Sequence, residues 1–141
     1  DVYKRQVIKL YTALLHENKD EAAKAYKSWG FKNLNSKLVD ALNIWALYLY
    51  GPLLEDKIRK IQDHQGASYA KELLGKVRKD LKRYGGIKPP REFVLVDRAA
   101  IGLGSVFMLL KAELNWHEKF EELIKNFNEK KVITSQKELL L

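Results

Sequence analysis

Apolar residues recur at helical spacing along most of this chain, and no stretch alternates apolar and polar residues as a half-buried strand would. The segment 68–84 has the clearest pattern. At about 100° per residue, one arc of this helix carries Tyr69, Leu73, Leu74, Val77, Leu81 and Tyr84. The opposite arc carries Lys71, Lys76, Arg78, Lys79, Lys82 and Arg83. The pattern predicts a helix that buries one face and presents a cationic face to its surroundings.

The same periodicity predicts helices over residues 7–15, 21–29, 37–50, 89–111 and 115–127, with a short helix and a loop over 53–66. The fold class is therefore an all-α bundle of five or six helices with short connections. Residues 7–128 form a single helical domain, and residues 129–141 are expected to be a poorly ordered polar tail. The 89–111 helix is apolar nearly all round, which is typical of a central helix.

Helix boundaries follow from residues that cap a helix or end one. Asp20 and Ser36 are placed to accept backbone N–H groups of a first turn, and Asn115 with Glu118 forms a variant of the capping box. Gly30 tolerates the left-handed conformation that ends a helix, and Gly51-Pro52 is expected to end the third helix.

Basic residues are concentrated in one quarter of the chain. Residues 57–91 contain 11 of the 26 Lys and Arg but only three of the 18 Asp and Glu, which leaves 15 of each sign elsewhere. Such a block attracts phosphate or anionic lipid headgroups. A solvated lysine-rich helix face is the more ordinary explanation.

Enzyme signatures are missing from the sequence. It has no cysteine, and His16, His64 and His117 lack a second ligand at metal spacing, so each is expected to be a surface or capping histidine. Neither a G-x-S-x-G elbow nor a phosphate loop occurs, and Gly102-Leu103-Gly104 falls inside a helix. The three tryptophans are spaced as core or cap aromatics and do not interleave with the basic face, so nucleic acid is not the expected partner.

Asp97 and Arg98 interrupt the apolar 89–111 helix, which also argues against a transmembrane span. Adjacent helical residues point about 100° apart, so the two do not pair with each other. One hypothesis makes them an anchor for a neighbouring domain. The other, which we favour, pairs them with residues of other helices in this bundle, because an unpaired interior charge costs several kcal/mol.

The stretch "KPPREFVLVDRAAIGLGSVFMLLKAELNWHEKFEEL" resembles the C-terminal region of the AarF/UbiB family of atypical protein-kinase-like proteins. The resemblance lies in a Pro-Pro-x-Glu helix start, a buried Arg before a glycine-containing helix, and an Ala-Glu-x-Asn-Trp turn. The matching residues are Pro89, Pro90, Glu92, Arg98, Gly102, Gly104, Ala112, Glu113, Asn115 and Trp116. "LYTALLHENKDEAAKAYKSWGF" is similar to the helix–turn–helix that follows the family's kinase core.

The resemblance implies a parent protein that acts as an atypical kinase or ATPase, uses ATP and Mg, and is linked to ubiquinone or other isoprenoid-lipid metabolism. The nucleotide-binding lysine, catalytic aspartate and metal-binding Asp-Phe-Gly motif of such a core do not occur in these residues. This chain is therefore expected to be the helical extension behind the core. Its partners would be that core and an anionic membrane, and its location cytoplasmic, with peripheral membrane contact. The alternative is a free-standing basic module for nucleic acid or an acidic protein.

The first six residues, "DVYKRQ", prompt a separate hypothesis about their origin. The codons GAT GTG TAT AAG AGA CAG would encode them, and that string matches a transposon end used to tag DNA libraries. On this hypothesis the authentic sequence begins near Val7.

Overall fold

The computed structural model describes residues 2–62 and 66–139. Within them the chain forms α1 (Val2–Leu15), α2 (Lys19–Ser28), α3 (Ser36–Leu54), β1 (Ile58–Lys60), α4 (Gly66–Tyr84), α5 (Arg91–Leu109), β2 (Glu113–Asn115), α6 (Trp116–Ile124) and α7 (Glu129–Leu139). The all-α prediction is confirmed. The described residues form seven helices where five or six were expected, and they add a two-stranded antiparallel pairing of β1 and β2, in which Arg59 lies opposite Leu114.

The core lies where α1, α2, α3, one side of α4 and the start of α5 meet. Its most deeply buried large side chains are Leu10, Tyr11, Tyr26, Leu38 and Leu42. Phe93 of α5 packs edge-on against a cluster of aromatic rings, Tyr26, Trp29 and Phe31. The three tryptophans, expected to be core or cap aromatics, are buried, at 4–6% exposure for Trp29, Trp45 and Trp116.

Two of the predicted N-caps belong to a neighbouring residue. Asn18, and not Asp20, caps α2 by accepting the backbone N–H of Glu21 at 3.0 Å. Asn35, and not Ser36, caps α3 through the N–H of Leu38 at 2.9 Å. Asn and Asp or Ser cap about equally well, so the pattern could not choose between close candidates.

The helix ends are partly as predicted. Gly30 has φ of 103°, the left-handed conformation expected where the second helix ends. However, α3 continues through Gly51-Pro52 to Leu54. Pro52 lies in the last turn of α3, so its ring displaces only one hydrogen bond near the helix end.

The helix predicted over 89–111 is present as α5, but the expectation that it is a central, buried helix is wrong. Only Phe93 of α5 is buried, and from Arg98 to Leu109 every residue is exposed or half-buried. Leu103, Leu109 and the C-cap Leu110 are 58%, 84% and 69% exposed. The first half of α5 packs on the core, whereas the second half presents apolar side chains to the surroundings.

The C-terminal segment also differs from the expected polar tail, since it is helical from Glu129 to Leu139. Its first residue, Glu129, accepts a 3.1 Å hydrogen bond from the Arg5 guanidinium of α1. Gln6 of α1 is buried, and its amide donates to the backbone carbonyl of Ser28. Residues 2–6 thus belong to α1, a fact that bears on their fold and not on their origin.

Candidate functional site

The six basic residues predicted to share one face of α4 all lie on its exposed side: Lys71, Lys76, Arg78, Lys79, Lys82 and Arg83. The other side of α4 buries Val77 and Leu81 in the core. The division is set by α3, against which α4 packs. We call these six residues the cationic face.

The charges of the cationic face form two rows along the helix. Lys71, Arg78 and Lys82 form one row, and Lys76, Lys79 and Arg83 form the other. At 1.5 Å per residue, the face is about 18 Å long. Several of its members are like charges three or four residues apart, an arrangement that destabilises an isolated helix by a few tenths of a kcal/mol per pair.

None of the six forms an ion pair with any acid in the part of the chain that the structure describes. Arg83 instead lies over the ring of Tyr84, 5.5 Å from its centroid. By contrast, Lys19 is held by Asp40 at 2.6 Å and Lys24 by Glu21 at 2.6 Å. The cationic face therefore keeps its charge available to an external anion.

Asp97 connects α5 to α3 and is not a surface charge. Its carboxylate accepts a 2.7 Å hydrogen bond from the indole N–H of Trp45. Burial raises the pKa of Asp97 from 3.8 to about 6, and the hydrogen bond from Trp45 opposes that rise only in part. The negative charge in turn helps burial to raise the pKa of Tyr50.

Arg98 is exposed and has no ion pair with any of the described residues. The favoured hypothesis for the 97–98 pair thus needs correction, whereas the hypothesis of an anchor for a neighbouring domain stays a prediction. Asp97 finds its partner inside the bundle, as the favoured hypothesis required, but that partner is a neutral indole. Arg98 is neither buried nor paired here, because it points away from the side of α5 that packs on α3.

Asn115 and Trp116 hold the corner between β2 and α6. The Asn115 side chain accepts the backbone N–H of Glu118 at 3.1 Å, as the capping pattern predicted, and donates to the Asp56 carboxylate at 2.7 Å. The Trp116 indole donates to the Arg59 carbonyl at 2.7 Å, and its ring contacts Phe107 of α5. These two residues thereby tie three separate segments together.

The other residues of the resemblance shape α5. Pro90 occupies the N-cap position with Pro89 before it, and Glu92 lies exposed in the first turn. No atom lies within 4 Å of a Cβ built at Gly102 or Gly104, so neither glycine is needed for a close approach within this chain. Asn115 and Trp116 thus make structural contacts while Glu92 and Arg98 are exposed, and none of the motif residues is part of a catalytic constellation in the described residues.

A partly buried polar cluster joins α1, α3 and α6, and the sequence analysis did not predict it. The Tyr11 hydroxyl donates to the Glu121 carboxylate at 2.6 Å. His117 Nδ1 lies 2.8 Å from the Leu53 carbonyl oxygen. Because a carbonyl oxygen can only accept a hydrogen bond, Nδ1 carries the proton. The same nitrogen lies 3.2 Å from the Tyr11 oxygen. Burial and then Glu121 raise the pKa of the Tyr11 hydroxyl. The apolar spacing of α1 placed Tyr11 in the core but gave no sign of these partners.

His117 is thus half-buried and bonded, unlike the surface or capping histidine that was expected, whereas His16 is exposed. His64 lies outside the described residues. Among residues 2–62 and 66–139, no group of three or more His, Cys, Asp or Glu side chains is placed to hold a metal ion. In the same residues no helix is both long and apolar enough to cross a bilayer.

Comparison of the chain with protein-family models, with curated proteins and with solved structures finds no match in any of the three.

Proposed function

We propose that this chain is a non-catalytic helical extension of an AarF/UbiB-like atypical kinase or ATPase linked to isoprenoid-quinone or membrane-lipid metabolism. In this proposal the bundle supports the kinase-like core of the parent protein, which supplies ATP and Mg chemistry. The cationic face of α4 rests on an anionic membrane surface in the cytoplasm. The chain itself performs no reaction.

The single observation that carries the membrane contact is the cationic face. Six exposed Lys and Arg side chains stand on one side of one helix without an ion pair among the described residues. A cation near an anionic leaflet contributes about 1 kcal/mol, so six in contact give a binding energy of about 6 kcal/mol. That value corresponds to reversible, peripheral binding.

The supporting role rests on the resemblance and on what its residues do. Asn115, Trp116 and Asp97 join segments that are distant in sequence, through contacts with Asp56, with the Arg59 carbonyl and with Trp45. Residues with this task in a bundle stabilise a scaffold and do not react with a substrate. A non-catalytic extension is the class of domain that such residues suit.

The experiment is vesicle flotation with the triple variant Lys76→Glu/Lys79→Glu/Arg83→Glu. All three side chains belong to one row of the cationic face, so the reversal leaves the buried side of α4 unchanged. We expect the wild type to float with vesicles containing anionic lipid and not with neutral ones, and the variant to lose at least about 100-fold in affinity, since about 3 kcal/mol of attraction is removed.

The matched control is Lys32→Glu/Lys125→Glu/Lys130→Glu, which changes the net charge equally at three exposed positions away from α4. This control should float nearly as the wild type does. Equal flotation of the α4 variant and the wild type would refute the membrane contact. Binding to duplex nucleic acid but not to anionic vesicles, lost in the same variant, would favour the basic-module alternative instead.

A further inference from the structure

The outward side of α5 carries an uninterrupted stripe of apolar and small residues. The stripe consists of Leu95, Ala99, Gly102, Val106 and Leu109, and we call it the outer stripe. It lies roughly opposite Phe93 and Asp97, the residues through which α5 contacts the core. Every member of the outer stripe is exposed.

The spacing of the outer stripe is four, three, four and three residues. This alternation keeps the side chains in one line along a helix and is the spacing of the seam at which two helices pack side by side. Leu103 and Leu110 flank the line and are also exposed, which widens the apolar surface. Two charged residues fall within the span of the stripe, and neither belongs to it: Asp97 faces α3, and Arg98 lies beside the line.

From these features we infer that the outer stripe of α5 is a self-association surface, on which a second copy of this chain packs its own outer stripe in antiparallel orientation. The order of side-chain sizes supports a second copy. Leucines stand at both ends of the stripe and Gly102 stands at its centre, so in antiparallel register Leu95 faces Leu109, the small Ala99 faces Val106, and Gly102 faces Gly102 of the second copy. Small residues opposite each other let the two helix axes approach closely where they cross.

Electrostatics also favour pairing through this face. The chain has a net charge of +8, so two copies repel each other wherever their basic surfaces meet. The outer stripe is neutral and belongs to a different helix from the cationic face. Pairing through α5 therefore buries apolar surface without placing the charges of α4 against each other.

The available area fits a weak dimer. Five large apolar side chains on or beside the outer stripe are more than 40% exposed: Leu95, Leu103, Val106, Leu109 and Leu110. Taking on the order of 100 Å² for a fully exposed aliphatic side chain, they present about 300 Å² per copy, the lower end of the largest apolar patch on a typical monomer. With the small residues of the stripe and flanking polar atoms, a pair approaches the total of about 1,000 Å² that a weak specific interface needs. We therefore expect a dissociation constant on the order of tens of micromolar.

Sedimentation equilibrium of the whole 141-residue chain from about 1 to 200 µM tests the inference. The wild type should move from the 16.4 kDa monomer to a closed dimer of twice that mass as concentration rises. Val106→Asp, one position from the centre of the stripe, should weaken the dimer at least tenfold. Gly102→Glu should do the same, and because no atom lies within 4 Å of the added Cβ, the monomer fold accommodates it.

The matched control is Met108→Asp, which places the same charge on the same helix at a residue with similar exposure, 41% against 48% for Val106, but off the stripe. This control should change the dissociation constant less than threefold. A wild type that stays monomeric at 200 µM, open-ended association, or a Met108→Asp effect as large as that of Val106→Asp would overturn the inference. A monomeric wild type whose vesicle binding is lost in Val106→Asp would also overturn it and would assign the stripe to lipid.

Discussion

Replacing Asp97 by Asn should make the stability of this protein less dependent on pH. The Asp97 carboxylate lies between α5 and α3, where it accepts the Trp45 indole N–H at 2.7 Å. An Asn side chain offers an acceptor oxygen of the same shape to that N–H, so the hydrogen bond is retained. What the substitution removes is a negative charge held in a largely desolvated place.

The magnitude follows from the pKa of Asp97, which burial raises from 3.8 to about 6 in the folded protein. Because the folded pKa is the higher one, the folded state binds the proton more tightly than the unfolded chain does. The free energy of unfolding contributed by this group is therefore largest below pH 3.8, falls as the pH rises towards 6, and is level above about pH 7. One pKa unit is worth about 1.4 kcal/mol, so the loss is about 2–3 kcal/mol after allowing for residual solvent exposure.

The assay is urea unfolding of the wild type and of Asp97→Asn at several pH values between 4 and 8, followed by circular dichroism. Between pH 4 and pH 7.5 we expect the free energy of unfolding of the wild type to fall by about 2 kcal/mol relative to that of Asp97→Asn, because only the wild type has a carboxylate at this position. Asp20→Asn is the matched control, since Asp20 is exposed in the first turn of α2. Parallel curves for Asp97→Asn and the wild type would refute the claim that the desolvated carboxylate costs stability.

Two further expectations concern the polar cluster and the membrane contact. Tyr11→Phe should lower the free energy of unfolding by about 1.5–3 kcal/mol, because a hydrogen bond to a charged group is lost. The control Tyr84→Phe, whose hydroxyl has no hydrogen bond among the described residues, should lower it by less than about 0.5 kcal/mol. Equal losses for the two variants in thermal or urea unfolding would contradict the role of the cluster. Vesicle affinity of the wild type, measured by flotation, should fall steeply between about 50 and 200 mM salt because exposed charges are screened, and an affinity independent of salt would contradict binding through the cationic face.

The segment 68–84 was predictable from the sequence because two separate patterns, the apolar one and the basic one, indicate the same helix orientation. Its apolar and basic residues occupy opposite arcs, and both the buried Val77 and Leu81 and the six exposed cations lie where the periodicity put them. Helix starts were predictable only to within one or two residues, since Asn18 stands close to Asp20 and Asn35 next to Ser36 as competing caps.

The position of α5 could not be predicted, for a physical reason. A helix with apolar residues on all sides is favoured in a nonpolar environment. The periodicity does not indicate whether that environment is the core of this chain or the surface of a partner. Here Phe93 and Val96 reach the core, while Leu103 and Leu109 do not. The short β1 and β2 strands were missed because three residues are too few to show an alternation, and the Tyr11–Glu121 bond because it joins residues 110 positions apart.

The most direct test of the account's central claim, that this chain extends a kinase-like core, is the coding sequence upstream of Val7 in the same reading frame. The account predicts an open frame that encodes a nucleotide-binding lysine on a strand, a catalytic-loop aspartate and an Asp-Phe-Gly-type metal ligand. An initiator codon directly before this domain, or an upstream frame that encodes none of these motifs, would contradict it.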